Sequence, residues 1–368
     1  MSKVRLGDVA LEHKETCKAD KGDFPVVGLE HLTPEEVTLS AWEEGTDNTF
    51  TKVFRKGNVL FGRRRAYLKK AATAPFDGVC SGDITVIEAI SDKILPELLP
   101  FVIQNDAFFD FAVEKSAGSL SPRVKWEHLK DYEFELPPLD EQKKLAEILW
   151  AIDSTKKTYQ NLIKKTDELV KSQFIEMFGA KETAPLSEFA TICAGQSAPS
   201  DEEYSDTGTP FIKAGNLENL KLGIIEETDC HLVSEETIAK RKLKIQKVGS
   251  VLVAKSGMSC LSGHIYALKR DACVVSHLAC IRAKDDAYVE MVKWHFMITG
   301  TQCLIKNPSY PAIQIPQFEN MHFPRASKAE AETFAAFAIQ SDKSKFELEQ
   351  ALNDLIATYK RIITENLG

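Results

Sequence analysis

Residues 136–179 read LPPLDEQKKLAEILWAIDSTKKTYQNLIKKTDELVKSQFIEMFG, and this stretch decides the architecture of the chain. Pro137 and Pro138 block any helix from extending backwards, so a helix is predicted to begin near Leu139 or Asp140. No proline or glycine interrupts it before Gly179. Leu145, Leu149, Ile152, Tyr159, Ile163, Val170 and Met177 recur at spacings of 3, 4 or 7, the pattern of a heptad-type seam. A helix of ~40 residues is ~60 Å long at 1.5 Å per residue. Residues 323–368 (FPRASKAEAETFAAFAIQSDKSKFELEQALNDLIATYKRIITENLG) repeat the design. Phe334, Ala338, Leu348, Leu352, Leu355, Tyr359 and Ile362 form its seam, and a shift of 189 residues lays Phe178 on Leu367 and Val170 on Tyr359. The seams break at Lys156 and Thr166, and at Ser341 and Lys345; Lys156 and Lys345 are equivalent positions.

Working outward, each half shows the same order of signals ahead of its tail. Val4–Ala10 corresponds to Ala184–Ala190, and FPVVGLEHL (24–32) to PFIKAGNL (210–217). Strands bounded by glycine follow at residues 56–61 and 248–253, and further strands at VCSGDITVI (79–87) and VVSHLACI (274–281). Helical stretches (95–114 and 288–305) lead to polar loops, AGSLSPRVKW (117–126) and KNPSYPAIQIP (306–316), and to a last strand. The expected fold class is α+β (mixed α/β), with two globular domains linked by long antiparallel coiled-coil helices in a pseudo-twofold internal repeat. Boundaries fall at 1–136, 137–179, 180–323 and 324–368.

With 368 residues, 43% of them hydrophobic, the chain can fold two cores without disulfides or a membrane. No apolar run approaches ~18 residues, and the N-terminus lacks the apolar core of a signal peptide, so a cytoplasmic location is expected. The 8 cysteines include no C-x-x-C pair, and no metal site is expected. The net charge of −8 conceals its distribution. Residues 48–76 hold no acid but carry Lys52, Arg55, Lys56, Arg63, Arg64, Arg65, Lys69 and Lys70. Residues 237–270 hold none either, and carry Lys240, Arg241, Lys242, Lys244, Lys247, Lys255, Lys269 and Arg270. Two acid-free basic runs at matching repeat positions point to a polyanion.

The motifs resemble those of the specificity subunits of type I restriction–modification enzymes. L-P-P-L-x-E-Q at Leu136 to Gln142 looks like the family's central region. G-N-V-L-F-G-R-R-R (57–65) and G-S-V-L-V-A-K-S-G (249–257) resemble the box of each target-recognition domain, and AGSLSPRVKW has the family look. One departure is that the second tail lacks P-P-L-x-E-Q and begins Pro324-Arg325-Ala326-Ser327.

The resemblance implies a non-catalytic DNA reader whose two globular domains each recognise half of a bipartite, asymmetric site. The helical rod would set the spacer and dock two methylation subunits, with restriction subunits attached through them. S-adenosylmethionine would be bound by the methylation partner and no cofactor by this chain. Candidate DNA contacts are the basic residues Lys52, Arg55, Lys56, Arg63, Arg64, Arg65, Lys69, Lys70, Lys240, Arg241, Lys242, Lys244 and Lys255, with Ser256. The loops add Ser119, Ser121 and Arg123, and Asn307, Ser309, Tyr310 and Gln314. Leu139, Glu141, Gln142, Ile148, Leu162, Leu169 and Phe174 are the candidate docking residues for partners.

No Walker-type phosphate loop and no amino-methyltransferase motif is present, so catalysis by this chain is not expected. The alternative reading is an orphan or other-defence-system protein, either a coiled-coil scaffold or a specificity-like subunit; of these, the scaffold would have no need of two matched basic runs.

Overall fold

The computed structural model describes residues 2–17, 24–44 and 49–368; Asn48, the first residue of the acid-free run, lies outside them. The chain forms two compact units of mixed helix and sheet, residues 1–161 with 348–368 and residues 162–347. Two long helices, Leu139–Phe178 and Lys328–Leu367, each contribute to both units.

The first unit contains β1 (Ser2–Arg5), β2 (Ala10–Glu12), β3 (Val26–Val27), β4 (Lys52–Phe54), β5 (Val59–Gly62), β6 (Ala71–Thr73), β7 (Gly78–Cys80), β8 (Ile84–Ala89) and β9 (Glu133–Leu136). β1 and β9 pair antiparallel, closing the unit's two ends on each other. A four-stranded antiparallel sheet runs β2-β8-β5-β6, and a three-stranded sheet runs β3-β7-β4 with β3 parallel to β7. The run 79–87, expected as one strand, is two strands in different sheets, because Ser81-Gly82-Asp83 turns between β7 and β8.

Strand β5 shows why this sequence packs so tightly. Side chains alternate across a sheet, so Val59 and Phe61 enter one core and Leu60 the other. Phe61 meets Phe108 and Phe109 of the helix Asp106–Glu114 at ring-centroid distances of 5.4 and 5.8 Å. The same core takes Leu145 and Leu149 from the first long helix and Ile363 and Leu367 from the second. The stretch 95–114 is two helices, Leu99–Ile103 and Asp106–Glu114, separated by Asn105. Asn105 Oδ1 caps the second helix by accepting from the Ala107 N–H, and its Nδ2 donates to the Leu367 carbonyl at 3.1 Å.

The first long helix begins at Leu139, directly after the two prolines. Gln142 is buried there. Its Oε1 accepts from the Leu95 N–H at 2.9 Å and its Nε2 donates to the Pro137 carbonyl at 2.9 Å. The L-P-P-L-x-E-Q motif is thus a device for seating the helix, and Gln142 is not available for docking. Replacing Gln142 by alanine is expected to leave both backbone groups unpaired and to lower stability by about 2 kcal/mol in urea unfolding. The second long helix uses a different device, a capping box in which Ser327 and Glu330 bond reciprocally. Lys181 donates to Glu330 at 2.8 Å and, with the Ser327 donors, holds its carboxyl down at about 2.

The second unit contains β10 (Thr183–Pro185), β11 (Ala190–Ala194), β12 (Thr209–Ile212), β13 (His231–Val233), β14 (Val251–Ala254), β15 (Ile265–Ala267), β16 (Cys273–Val274), β17 (Leu278–Ala283) and β18 (His322–Pro324). β10 pairs with β18, and the four-stranded sheet β11-β17-β14-β15 follows the strand order of the first unit. The small sheets differ. Both contain a parallel pair, β3 with β7 and β12 with β16, but the third strand joins β7 in the first unit and β12 in the second. The run 274–281 is again broken, by Val275-Ser276-His277. Phe174, Phe178 and Phe334 pack at 5.1–5.6 Å in this core. Phe174 is therefore a core residue and not a docking residue.

The two seam lysines find acids. Lys156 lies 3.5 Å from the buried Asp153 and donates to the Glu35 carbonyl; Lys345 bonds both oxygens of Asp167 on the opposite helix.

Candidate nucleic-acid interface

The end of β5 and the end of β14 are held by the same set of backbone bonds. In the first unit the Arg63 N–H donates to the Asp83 carbonyl (3.0 Å), and the Val124 N–H to the Arg63 carbonyl (3.0 Å). The Arg65 N–H donates to the Pro122 carbonyl (2.8 Å). In the second, the Lys255 N–H donates to His277 (2.9 Å), the Ile313 N–H to Lys255 (2.8 Å) and the Gly257 N–H to Pro311 (3.1 Å). Single bridges, Arg64 to Arg123 and Ser256 to Ala312, complete the match. Each strand end is therefore clamped between the turn preceding the sheet's last strand and the polar loop, with a proline carbonyl as acceptor. Arg65 and Gly257 occupy the same left-handed conformation, φ 56° and 78°. Glycine adopts it freely, whereas arginine pays about 1 kcal/mol.

The side chains on the two frames differ. Arg123 donates to both oxygens of Asp83 at 2.7 and 3.2 Å, and Arg64 lies 3.5 Å from Asp83 and bonds Ser121 at 3.1 Å. The Arg123 guanidinium holds the Asp83 carboxyl below its usual range. Arg63 is half-buried, and Arg65 is exposed without a side-chain partner among the described residues, so the three adjacent arginines point to three different environments. In the second unit Ser256 pairs with His277 at 2.8 Å, where the first has Arg64 with Asp83. Asn307 turns its own loop by accepting from Ser309; Ser119, Tyr310 and Gln314 are exposed. Asp83 and His277 were missed in the sequence, because the acid-free pattern looks past an acid and a lone histidine has no signature. The signal was the glycine or serine just before each, which breaks the strand.

Replacing Asp83 by alanine is expected to change stability by no more than about 1 kcal/mol, as for exposed ion pairs. It should release Arg64 and Arg123 from their shared carboxylate. Urea unfolding of the variant beside the wild type would check the stability change.

Most of the remaining basic residues are tied to acids or carbonyls from outside their runs. Arg55 is bracketed by Glu15 and Asp77, and the Lys56 N–H is held by Asp77. Lys52 and Lys70 donate to the Ile84 and Leu29 carbonyls, and Lys69 to Asp106. Arg241 and Lys240 share Glu203, and Lys247 meets Asp271. Lys242 closes the helix Glu235–Arg241 with φ 53°, and Lys244 is exposed. A run free of acid in sequence is not free of acid in space. Among the docking candidates, Leu139, Glu141, Ile148, Leu162 and Leu169 are exposed.

Residues 1–166 match the family described as the type I restriction modification DNA specificity domain. A match to the MjaIX specificity subunit of Methanocaldococcus jannaschii, at 22% identity, spans 86% of this chain and 80% of that protein. Together these matches indicate a type I restriction–modification specificity subunit. Two solved structures share the fold of this chain. One comes from work on complex assembly and conformational transition of the type I R-M system (21% identity, TM-score 0.59, 99% of this chain and 97% of that one). The other is the S subunit from M. genitalium (13% identity, TM-score 0.60, 100% and 96%). The task of a type I specificity subunit is DNA sequence recognition. Among the described residues no helix is long and apolar enough to cross a membrane, and no cluster of metal-ligating side chains occurs.

Proposed function

We propose that the two clamped strand ends are the reading heads for the two halves of a bipartite, asymmetric DNA site. The observation that carries this reading is the duplicated frame with non-equivalent side chains: Arg64, Arg65, Ser119, Ser121 and Arg123 on one, Lys255, Ser256, Asn307, Ser309, Tyr310 and Gln314 on the other. The same backbone with different donors and acceptors suits two different half-sites. Arginine can pair bidentately with guanine, and lysines such as Lys240, Lys242 and Lys244 suit phosphates. The chain would then be a pseudo-twofold repeat of target-recognition domains, 1–136 and 180–323, joined by antiparallel coiled-coil helices (137–179 and 324–368). The helices would fix the unread spacer. The exposed residues Leu139, Glu141, Ile148, Leu162 and Leu169 would dock two methylation subunits, which would bind S-adenosylmethionine, methylate adenine and carry the restriction subunits. Catalysis would belong to those partners.

Co-expression with the methylation subunit and genome-wide mapping of methyladenine tests the reading. A bipartite, asymmetric motif with a fixed spacer is expected. An assembled complex that yields no motif would overturn it.

A further inference from the structure

We propose that Leu120 and Tyr310 are wedges, each pressed against the base stack of the half-site read by its own unit and unstacking one base step there. This rests on the reading of the two frames as DNA-reading heads and adds a mode of readout to it.

Among the described residues, the two most exposed large hydrophobic side chains are Leu120, 91% exposed, and Tyr310, 81% exposed. A lone exposed apolar residue is ordinary. These two, however, occupy the same loop in two units whose loop sequences are otherwise unlike, Leu120 two residues and Tyr310 one residue ahead of the proline that clamps the strand end. Both loops are tied by backbone bonds that present the tip. Ala117 and Arg123 exchange bonds of 3.0 and 2.9 Å across the first, and the Tyr310 N–H donates to the Asn307 carbonyl at 3.2 Å in the second. A second apolar side chain lies on the adjoining turn in each case, Tyr67 at 55% exposed and Met258 at 72%.

A protein-docking patch would be contiguous and apolar. Here the apolar tip of the first unit is set among Arg64, Arg65 and Arg123, and that of the second follows Asn307 and Ser309. Cations suit phosphates and the tip suits the face of a base. Apolar side chains that enter base steps unstack and kink the duplex, and flexible pyrimidine–purine steps yield most easily. Leucine acts as an aliphatic wedge and tyrosine as a stacking plate, so the two half-sites would favour different steps.

The test uses the methyltransferase complex formed with the co-expressed methylation subunit, and duplexes carrying the mapped motif. 2-Aminopurine replaces, in turn, each adenine other than the methylated one. The wild-type complex is expected to raise fluorescence severalfold at one position in each half. Leu120→Ser should abolish the rise in one half only and Tyr310→Ser in the other only, each lowering specific affinity roughly ten-fold while non-specific affinity holds. Tyr310→Phe should keep the signal. Unchanged fluorescence and affinity in both serine variants would overturn the wedges alone. Failure to obtain any motif would overturn the reading heads and the wedges together.

Discussion

Phe174→Ala is expected to destabilise the second unit by about 4 kcal/mol, the usual loss when a buried phenylalanine is cut back to a methyl group. Phe174 is 5% exposed and its ring packs edge-on against Phe178 and Phe334, one from each long helix's contribution to that core. The cavity cannot close cheaply, because both neighbours are held by helices and by the sheet beneath them. Urea unfolding followed by circular dichroism would register the change. Leu162→Ser and Leu169→Ser are the contrast. Both side chains are exposed, so stability should move by no more than about 0.5 kcal/mol while co-purification with the methylation subunit drops. If Phe174→Ala were as stable as wild type and lost only the partner, its assignment to the core would be wrong.

The second unit should also lose about 3 kcal/mol between pH 6.5 and pH 4 through His295 alone. Its side chain is 4% exposed and faces the rings of Phe174, Phe296 and Phe323, and its Nε2 has no hydrogen-bond partner among the described residues. Burial disfavours the imidazolium and pushes the group down to about 4 from its ordinary 6.5. The folded state therefore binds the proton less readily than the unfolded state. Stability is complete above the unfolded value of 6.5 and falls as the pH drops towards 4, below which both states carry the proton. A depression of about 2.5 units corresponds to roughly 3 kcal/mol. Unfolding curves at a series of pH values, with His295→Gln compared, would show the slope shrink in the variant. An equal slope in both would remove His295 as the cause.

The long helices were legible because proline, glycine and heptad spacing act locally. The first starts at Leu139 as the prolines dictate, and the seam residues Leu145, Leu149, Val170 and Phe334 are buried. The glycine-bounded strands expected at 56–61 and 248–253 are present as Val59–Gly62 and Val251–Ala254, starting three residues later and ending one later. What was not legible depends on distant partners. Gln142 belongs to the core because Leu95 offers it an N–H across 47 residues of chain. Phe174 looked like an exposed stripe residue because helical spacing alone does not say which of two apolar faces a neighbour covers. The basic runs overstated the free charge, since Glu15, Asp77, Asp106, Glu203 and Asp271 approach them only in the fold. Asp83 and His277 gain significance only when the broken strands are seen to clamp the loops.

Asn105 holding the Leu367 carbonyl has a consequence for how the protein is made. The first unit is assembled from residues 1–161 and residues 348–368, with Leu367 sealed in its core. During synthesis its sheets can pair early, but Phe101, Trp150 and Asn105 wait for a strand of polypeptide that emerges only after the whole second unit has been translated. At about 5–20 residues per second, that interval is on the order of ten seconds or more. The unit whose sheets are translated first is thus finished last, and a ribosome that stops at residue 347 releases a chain in which the second unit is whole and the first still lacks residues 348–368.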